Sequence, residues 1–101
     1  MIAVSAFVLH LYLTPLVSFA PSILTLTARL NPHPALRSLR VTLDGGDFYR
    51  SSTIPLDGAD APITSRFLWR DVPSGDYDVT GYLLGTSDTV LATAHQQVTV
   101  R

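Results

Sequence analysis

The sequence predicts an all-β domain, an antiparallel sandwich of six or seven strands. Apolar and polar residues alternate with a period of two in six segments that follow one another from residue 23 onward. Residues that favour turns separate these segments at intervals of about 8 to 12 residues, as in β-sandwiches. No segment after residue 22 keeps a helical period for three turns. These three observations favour two packed sheets over any helical architecture.

The six strand segments can be read in chain order. The first, ILTLTARL, places Leu24, Leu26 and Leu30 on one face, and NPHP then ends it because proline cannot donate to a strand ladder. The next five segments are LRSLRVTL, FYRSSTIPL, ITSRFLWRDV, DYDVTGYLLG and TVLATAHQQVTV. The turn signals DGGD, DGADAP and VPSG lie between them. The alternation assigns six residues to the core, Leu26, Leu43, Trp69, Tyr77, Val79 and Val98.

The opening stretch, residues 2–20, carries no Asp, Glu, Lys or Arg. A cleaved signal peptide is disfavoured, because the positive n-region is missing and Pro21 follows the small-x-small end. As a helix, the stretch would span about 28 Å, near the hydrocarbon thickness of a bilayer. Pro15 would kink that helix, and His10 near its middle would need a partner.

The same stretch also alternates as a strand. In FVLHLYLTP, Leu9, Leu11 and Leu13 share one face with Phe7, and His10 lies on the other. It would then be the missing first strand of a seven-stranded sandwich. The two alternatives are nearly balanced, and we favour the anchor helix slightly. The predicted division is an apolar N-terminal anchor or strand, 1–21, and a β-sandwich domain, 22–101.

A late motif, DVPSGDYDVTGYLL, contains Pro73, Gly75, Tyr77 and Val79 in a Pro-x-Gly-x-Tyr-x-Val spacing. It resembles the start of a late strand in bacterial immunoglobulin-like and fibronectin-type-III-like modules. The resemblance implies an immunoglobulin-like antiparallel sandwich, Trp69 as its core aromatic, and a tyrosine corner in which the Tyr77 hydroxyl bonds back to the backbone. It covers 22–101 and implies no activity, because so widely shared a fold hosts many functions.

The charges exclude several kinds of function. All eight acidic residues are Asp, all seven basic residues are Arg, and the net charge is −1. The nearest approach to a basic patch is Arg37, Arg40, Arg66 and Arg70, which Asp44 and Asp71 balance. Because phosphate binding needs a clustered excess of cations, we predict no nucleic-acid partner. The absence of cysteine excludes disulfides, thiolate metal sites and a cysteine nucleophile.

Candidate chemical groups are few. His10, His33 and His95 lack ligand spacing, so each is interpreted as a satisfied or solvated side chain. The Asp pairs of DGGD, DGAD and DYD would bind Ca²⁺ only if their loops converged, and the chain has no Glu for an EF-hand-type loop. An enzyme would need His95 and an Asp to meet in space. We predict no catalytic residue, no cofactor and no metal site.

The function predicted on these grounds is a non-enzymatic structural or protein-binding module, an accessory subunit of a membrane-associated or extracellular assembly. Its partners would be other protein subunits, with a membrane as a further partner through residues 2–20. The likeness to exported modules implies a periplasmic or extracellular, membrane-associated location. One alternative is a carbohydrate-binding surface module with Tyr49, Tyr82 or Trp69 exposed in a row. The other is a virion or filament protein that uses its N-terminal segment as a strand.

Overall fold

Eight strands form two sheets in the computed structural model, which describes residues 7–101. Two short 3-10 turns, Gly58–Asp60 and Thr86–Asp88, lie between strands, and the described residues contain no α-helix. The predicted all-β sandwich is confirmed. The strands are β1 Leu9–Thr14, β2 Val17–Ser18, β3 Ser22–Leu30, β4 Ser38–Asp44, β5 Tyr49–Pro55, β6 Thr64–Val72, β7 Gly75–Leu84 and β8 Val90–Val100.

The strand order shows how the chain joins the two sheets. One sheet has the order β1-β3-β6 and the other the order β2-β8-β7-β4-β5. Neighbouring strands are antiparallel except β2, which runs parallel to the end of β8. The chain therefore leaves the three-stranded sheet after Thr14 and reaches the edge of the five-stranded sheet at Val17.

The N-terminal stretch corrects our preference for an anchor helix. Residues 9–14 pair with β3, with Leu9 and Leu13 buried and His10 exposed on the opposite face. A Cβ atom at Gly81 on β7 would lie 3.0 Å from Leu11 Cδ2. The absence of a side chain at Gly81 therefore lets β1 pack closely against β7. No helix in the part of the chain that the structure describes is long and apolar enough to cross a membrane. Residues 2–6 of the predicted stretch lie outside the described residues.

The core lies between the two sheets. All six residues that the alternation assigns to it are buried, including Trp69, which is only 6% exposed. The tyrosine corner implied by the resemblance is confirmed, because the Tyr77 hydroxyl donates a hydrogen bond of 2.6 Å to the Pro73 carbonyl oxygen. The ring of Phe48 meets the Tyr77 ring edge-on at 6.1 Å. Core packing and the hydrogen bond of Tyr77 hold the two sheets together, and the outer faces of the sheets carry the polar side chains.

Candidate binding face

The outer surface of the three-stranded sheet carries a concentration of positive charge. Alternation along β3 and β6 directs Arg29, Arg66 and Arg70 away from the core, and all three are exposed. The pairing of β1 with β3 brings the exposed His10 opposite Arg29. We call this surface, defined by His10 and the three arginines, the basic face.

The arginines of the basic face lack hydrogen-bond and ion-pair partners among residues 7–101. Among residues 7–101, none of their three guanidinium groups makes a hydrogen bond or an ion pair, whereas Arg37 and Arg40 do hydrogen-bond. Neither β1 nor β3 contains an acidic residue. In β6 the one carboxylate is that of Asp71, which follows Arg70 in the chain and has a backbone φ of 55°. The basic face thus presents cations that are free to bind an external anion.

An open cavity of about 390 Å³ lies at one end of the basic face. Its polar lining combines a guanidinium, an imidazole, a phenol and an amide, and its apolar lining is aliphatic. Groups of this kind donate hydrogen bonds, and arginine in particular matches carboxylate and phosphate oxygens in a bidentate geometry. The residues that line the cavity are Val8, His10, Tyr12, Arg29, Leu30, Asn31 and Ile63.

The outer surface of the five-stranded sheet has the opposite charge. Asp44 on β4 lies directly across from Asp78 on β7, and Asp76 precedes Asp78 by two residues on the same face. We call these three residues the acidic cluster. Arg40 is the one arginine at an outward position of that sheet's described strands, and it hydrogen-bonds weakly to Thr53 at 3.5 Å. The two outer faces of the sandwich therefore carry charges of opposite sign.

The acidic cluster contacts weak donors. His95 Nε2 lies 3.3 Å from Asp78 Oδ1, and Gln97 donates to the same oxygen at 3.4 Å. The Thr99 hydroxyl donates to Asp76 Oδ1 at 3.0 Å. His95 and an Asp thus meet in space, which is the condition that an enzyme was predicted to require.

The other predicted site residues do not form one site. DGGD and DYD lie at one end of the sandwich, whereas DGAD follows β5 at the other end, where Pro55 pairs with Ser38. Within the described ranges, no group of three or more His, Cys, Asp or Glu is placed to hold a metal ion. His33 is satisfied, since its Nδ1 accepts from the Ala35 backbone N–H at 3.0 Å and its ring lies 4.7 Å from that of Phe7.

The three aromatics predicted for a sugar platform do not form an exposed row. Tyr49 pairs with Asp44 and Tyr82 pairs with Arg40, so the two tyrosines lie on strands that β4 separates and at different levels of the sheet. Trp69, the third aromatic considered for a sugar platform, is buried.

The four arginines that come nearest to a basic patch in the sequence do not lie together in the structure. Arg40 lies on the five-stranded sheet and Arg37 precedes β4, so neither joins Arg66 and Arg70. Sequence reasoning left out Arg29, although the alternation in ILTLTARL already marks it as outward-facing. The missing information was the pairing of β3 with β6.

Comparisons with known proteins identify relatives of the fold. No protein-family model and no curated protein matches this chain. The superoxide reductase (neelaredoxin) of Ignicoccus hospitalis is 15% identical, with a TM-score of 0.65, over 92% of this chain and 80% of that chain. A variant of the same reductase gives a TM-score of 0.66 at 14% identity, over 96% of this chain and 82% of that chain.

A CARDB domain from Pyrococcus furiosus, solved in complex with di-metal ions, is 14% identical with a TM-score of 0.54. That match covers 93% of this chain and 91% of the other. At such identities the likeness shows the fold alone, and the class it defines is the all-β sandwich.

These relatives correct the predicted function. We expected a non-enzymatic structural or protein-binding module because the chain lacks catalytic motifs, but superoxide reductases are enzymes that have this fold. The prediction that the chain is not an enzyme is contradicted by the same finding. The physical reason is that strand pairing brings side chains from distant segments together, as it does His95 and Asp78, and short sequence motifs do not record such contacts.

Proposed function

We propose that the basic face binds a carboxylate or phosphate group carried by another molecule. The observation that carries the proposal is the set of three exposed arginines, Arg29, Arg66 and Arg70, which have no partner within the described chain. A guanidinium that makes no internal bond keeps its fork of donors available for a bidentate anion. Nucleic acid is not the expected source of phosphate, because three arginines on a chain of net charge −1 give only a small counterion effect.

The cavity supports a specific position for the anion. Arg29 lines it together with His10, Tyr12 and Asn31, so that a charged donor and three neutral or titratable donors surround one space. An oxyanion placed there would accept from Arg29, and the Tyr12 ring would cover the organic part of the ligand. Arg66 lies one diagonal step away across the β3–β6 pair and extends the positive surface toward a larger ligand.

Titration with citrate and with inorganic phosphate tests this proposal. We expect saturable binding by calorimetry, with amide shifts in NMR spectra centred on residues 10, 29 and 31. Arg29→Gln should weaken binding by about tenfold, which corresponds to the loss of one charge-assisted hydrogen bond. The matched control is Arg40→Gln, an arginine on the other sheet, which should leave binding unchanged. Equal losses in both variants, or no saturable binding by the wild type, would contradict the proposal.

A second candidate function is proton transfer at the pair formed by His95 and Asp78. Their 3.3 Å contact uses Nε2, which leaves Nδ1 as a proton acceptor, and Thr80 lies directly across from His95 on β7. Assays with ester, glycoside and phosphate substrates test this candidate. Turnover that is lost in His95→Ala and kept in His33→Ala would support it. Turnover equal in all three proteins, or none at all, would reject it.

The type of module and its location are part of the same proposal. We assign the chain to the bacterial immunoglobulin-like or fibronectin-type-III-like modules, supported by the tyrosine corner at Tyr77. We place it in the periplasm or outside the cell, in contact with other protein subunits of an assembly. Fractionation of cells that express the tagged full chain tests the location. Recovery with cytosolic markers would contradict it.

A further inference from the structure

We infer that the basic face of one copy binds the acidic cluster of a second copy, so that molecules associate front to back. This inference rests on the proposed anion binding and names the partner that supplies the carboxylates. Both surfaces belong to the same chain, are exposed and have opposite charge. Complementary charge of this kind steers association and fixes the register of the two surfaces.

The acidic cluster has no arginine partner among the described residues. Asp44 and Asp78 lie directly opposite each other, an arrangement of like charges that destabilises a sheet. In the described part of the chain, the cluster's contacts are His95, Gln97, Thr99 and the Gly46 backbone N–H, and no guanidinium reaches it. An arginine from another copy would relieve this repulsion and would itself gain a bidentate partner.

The spacing of the charges matches on the two faces. Arg66 pairs with Thr27, so Arg29 is the diagonal neighbour of Arg66 across β3 and β6. Asp44 pairs with Asp78, so Asp76 is the diagonal neighbour of Asp44 across β4 and β7. Diagonal neighbours in an antiparallel pair lie about 7 to 8 Å apart. Two arginines can therefore meet two carboxylates at once, each with its own partner.

Exposed apolar side chains accompany both sets of charges. Leu68 and Tyr12 are 48% and 52% exposed on the basic face, and Tyr49, opposite Asp44, is 53% exposed. Tyr and Arg are the side chains that interfaces favour, since they combine apolar area with polar groups. Burial of these residues would exclude water from the ion pairs and strengthen them.

The position of the two surfaces determines the symmetry of the assembly. They are the outer faces of different sheets, and so they point to opposite sides of the sandwich. A contact between unlike surfaces is heterologous, and repeating it produces a ring or an open chain of molecules rather than a closed dimer. Loss of either surface should therefore stop growth of the assembly, whereas the remaining surface should still bind its counterpart on another molecule.

Two charge-reversal variants test the inference. One, Arg29→Asp/Arg66→Asp, removes the basic face and keeps the acidic cluster. The other, Asp44→Arg/Asp76→Arg, does the opposite. By sedimentation velocity, the wild type should grow in mass with concentration at 0.01 M NaCl, where the Debye length is about 30 Å. It should shrink at 0.5 M NaCl, where the Debye length is about 4 Å. Each variant alone should stay monomeric.

Mixing the two variants is the decisive measurement. The mixture has two complementary contacts, one between the two intact surfaces and one between the two reversed surfaces, so it should regain the growth in mass that each variant alone has lost. Asp57→Arg, a charge reversal at the opposite end of the sandwich, is the matched control and should associate like the wild type. Circular dichroism should confirm that every variant is folded. If a reversal variant does not fold, the milder Arg29→Gln and Asp44→Asn replace it, and each should weaken association by about tenfold.

Two results would overturn the inference. One is a wild type that stays monomeric at all concentrations and salts, whether or not it binds vesicles of phosphatidylserine and phosphatidylcholine through Arg29 and Arg66. The other is a mixture of the two variants that stays monomeric. If the wild type is monomeric but still binds citrate or phosphate, the inference fails and the proposed anion binding stands. If the wild type binds neither anion, the proposed function fails as well.

Discussion

The hydroxyl of Tyr77 donates a hydrogen bond of 2.6 Å to the carbonyl oxygen of Pro73, and so ties β7 to the turn that precedes it. The ring of Tyr77 also packs against Gly45, where an added Cβ atom would lie 2.5 Å from Cε1. Tyr77 is only 2% exposed, so this one side chain joins the β6–β7 turn to the β4–β5 turn. The bond and the close approach lead to separate predictions.

Removal of the hydroxyl should lower stability without changing the fold. We expect Tyr77→Phe to reduce the free energy of unfolding by about 1 kcal/mol, the net contribution of a typical intramolecular hydrogen bond. Urea denaturation at neutral pH measures the change. Tyr82→Phe is the matched control, because no hydrogen bond of its hydroxyl is seen among the described residues, and it should have little effect. An equal loss in both variants would contradict a specific role for the corner.

The same residue predicts a dependence on alkaline pH. Burial raises the pKa of Tyr77 above its ordinary value of 10.0. The folded protein therefore holds the phenolic proton more tightly than the unfolded chain does. This contribution to stability is fully present below about pH 10 and is lost as pH rises through the folded pKa. Unfolding free energies measured from pH 8 upward should fall more steeply for the wild type than for Tyr77→Phe.

Gly45 should not tolerate a side chain. Its Cβ atom would overlap the Tyr77 ring, and overpacking of this kind costs about 1 to 3 kcal/mol. We expect Gly45→Ala to lower the denaturation midpoint accordingly. In a Tyr77→Ala background the same replacement should cost much less, because the clashing atoms are gone. Additive losses in the double variant would place the cause elsewhere.

The alternating faces of β1 provide a test of its strand conformation. Leu13 is buried at 7% exposure, whereas Tyr12 is 52% exposed on the outer face. Leu13→Asp should cost about 3 kcal/mol or more, since it buries an unpaired carboxylate. Tyr12→Asp should change stability by less than about 1 kcal/mol. Thermal unfolding distinguishes the two, and equal losses would argue against a strand packed on one side.

Asp44 should be replaceable with a gain in stability. Its carboxylate faces that of Asp78, and Asp44 Oδ1 also accepts from the Gly46 backbone N–H at 2.9 Å. Asparagine keeps an acceptor for that bond and removes the repulsion, so Asp44→Asn should stabilise the monomer by about 0.2 to 1 kcal/mol at low salt. The gain should shrink in 1 M NaCl, where screening acts over about 3 Å. A loss of stability would show that the charge of Asp44 is favourable where it lies.

Local patterns in the amino-acid sequence specify which face each strand residue occupies. Period-two alternation identified the buried residues Leu26, Trp69 and Val98, and the Pro-x-Gly-x-Tyr spacing marked the tyrosine corner. Both are local signals, because a side chain's face follows from its place in its own strand and the corner spans five residues, 73–77. In the same way, the outward orientation of Arg29 was available from ILTLTARL alone.

Which strands become neighbours depends instead on packing across the whole domain. Leu-rich residues 9–14 suit a helix or a strand, and the free edge of β3 together with the space at Gly81 made them a strand. Arg29 becomes the neighbour of Arg66, and Asp44 of Asp78, through strand pairing between distant segments of the chain. Register of this kind depends on which apolar faces fit together across the whole core, so no short window of residues contains it.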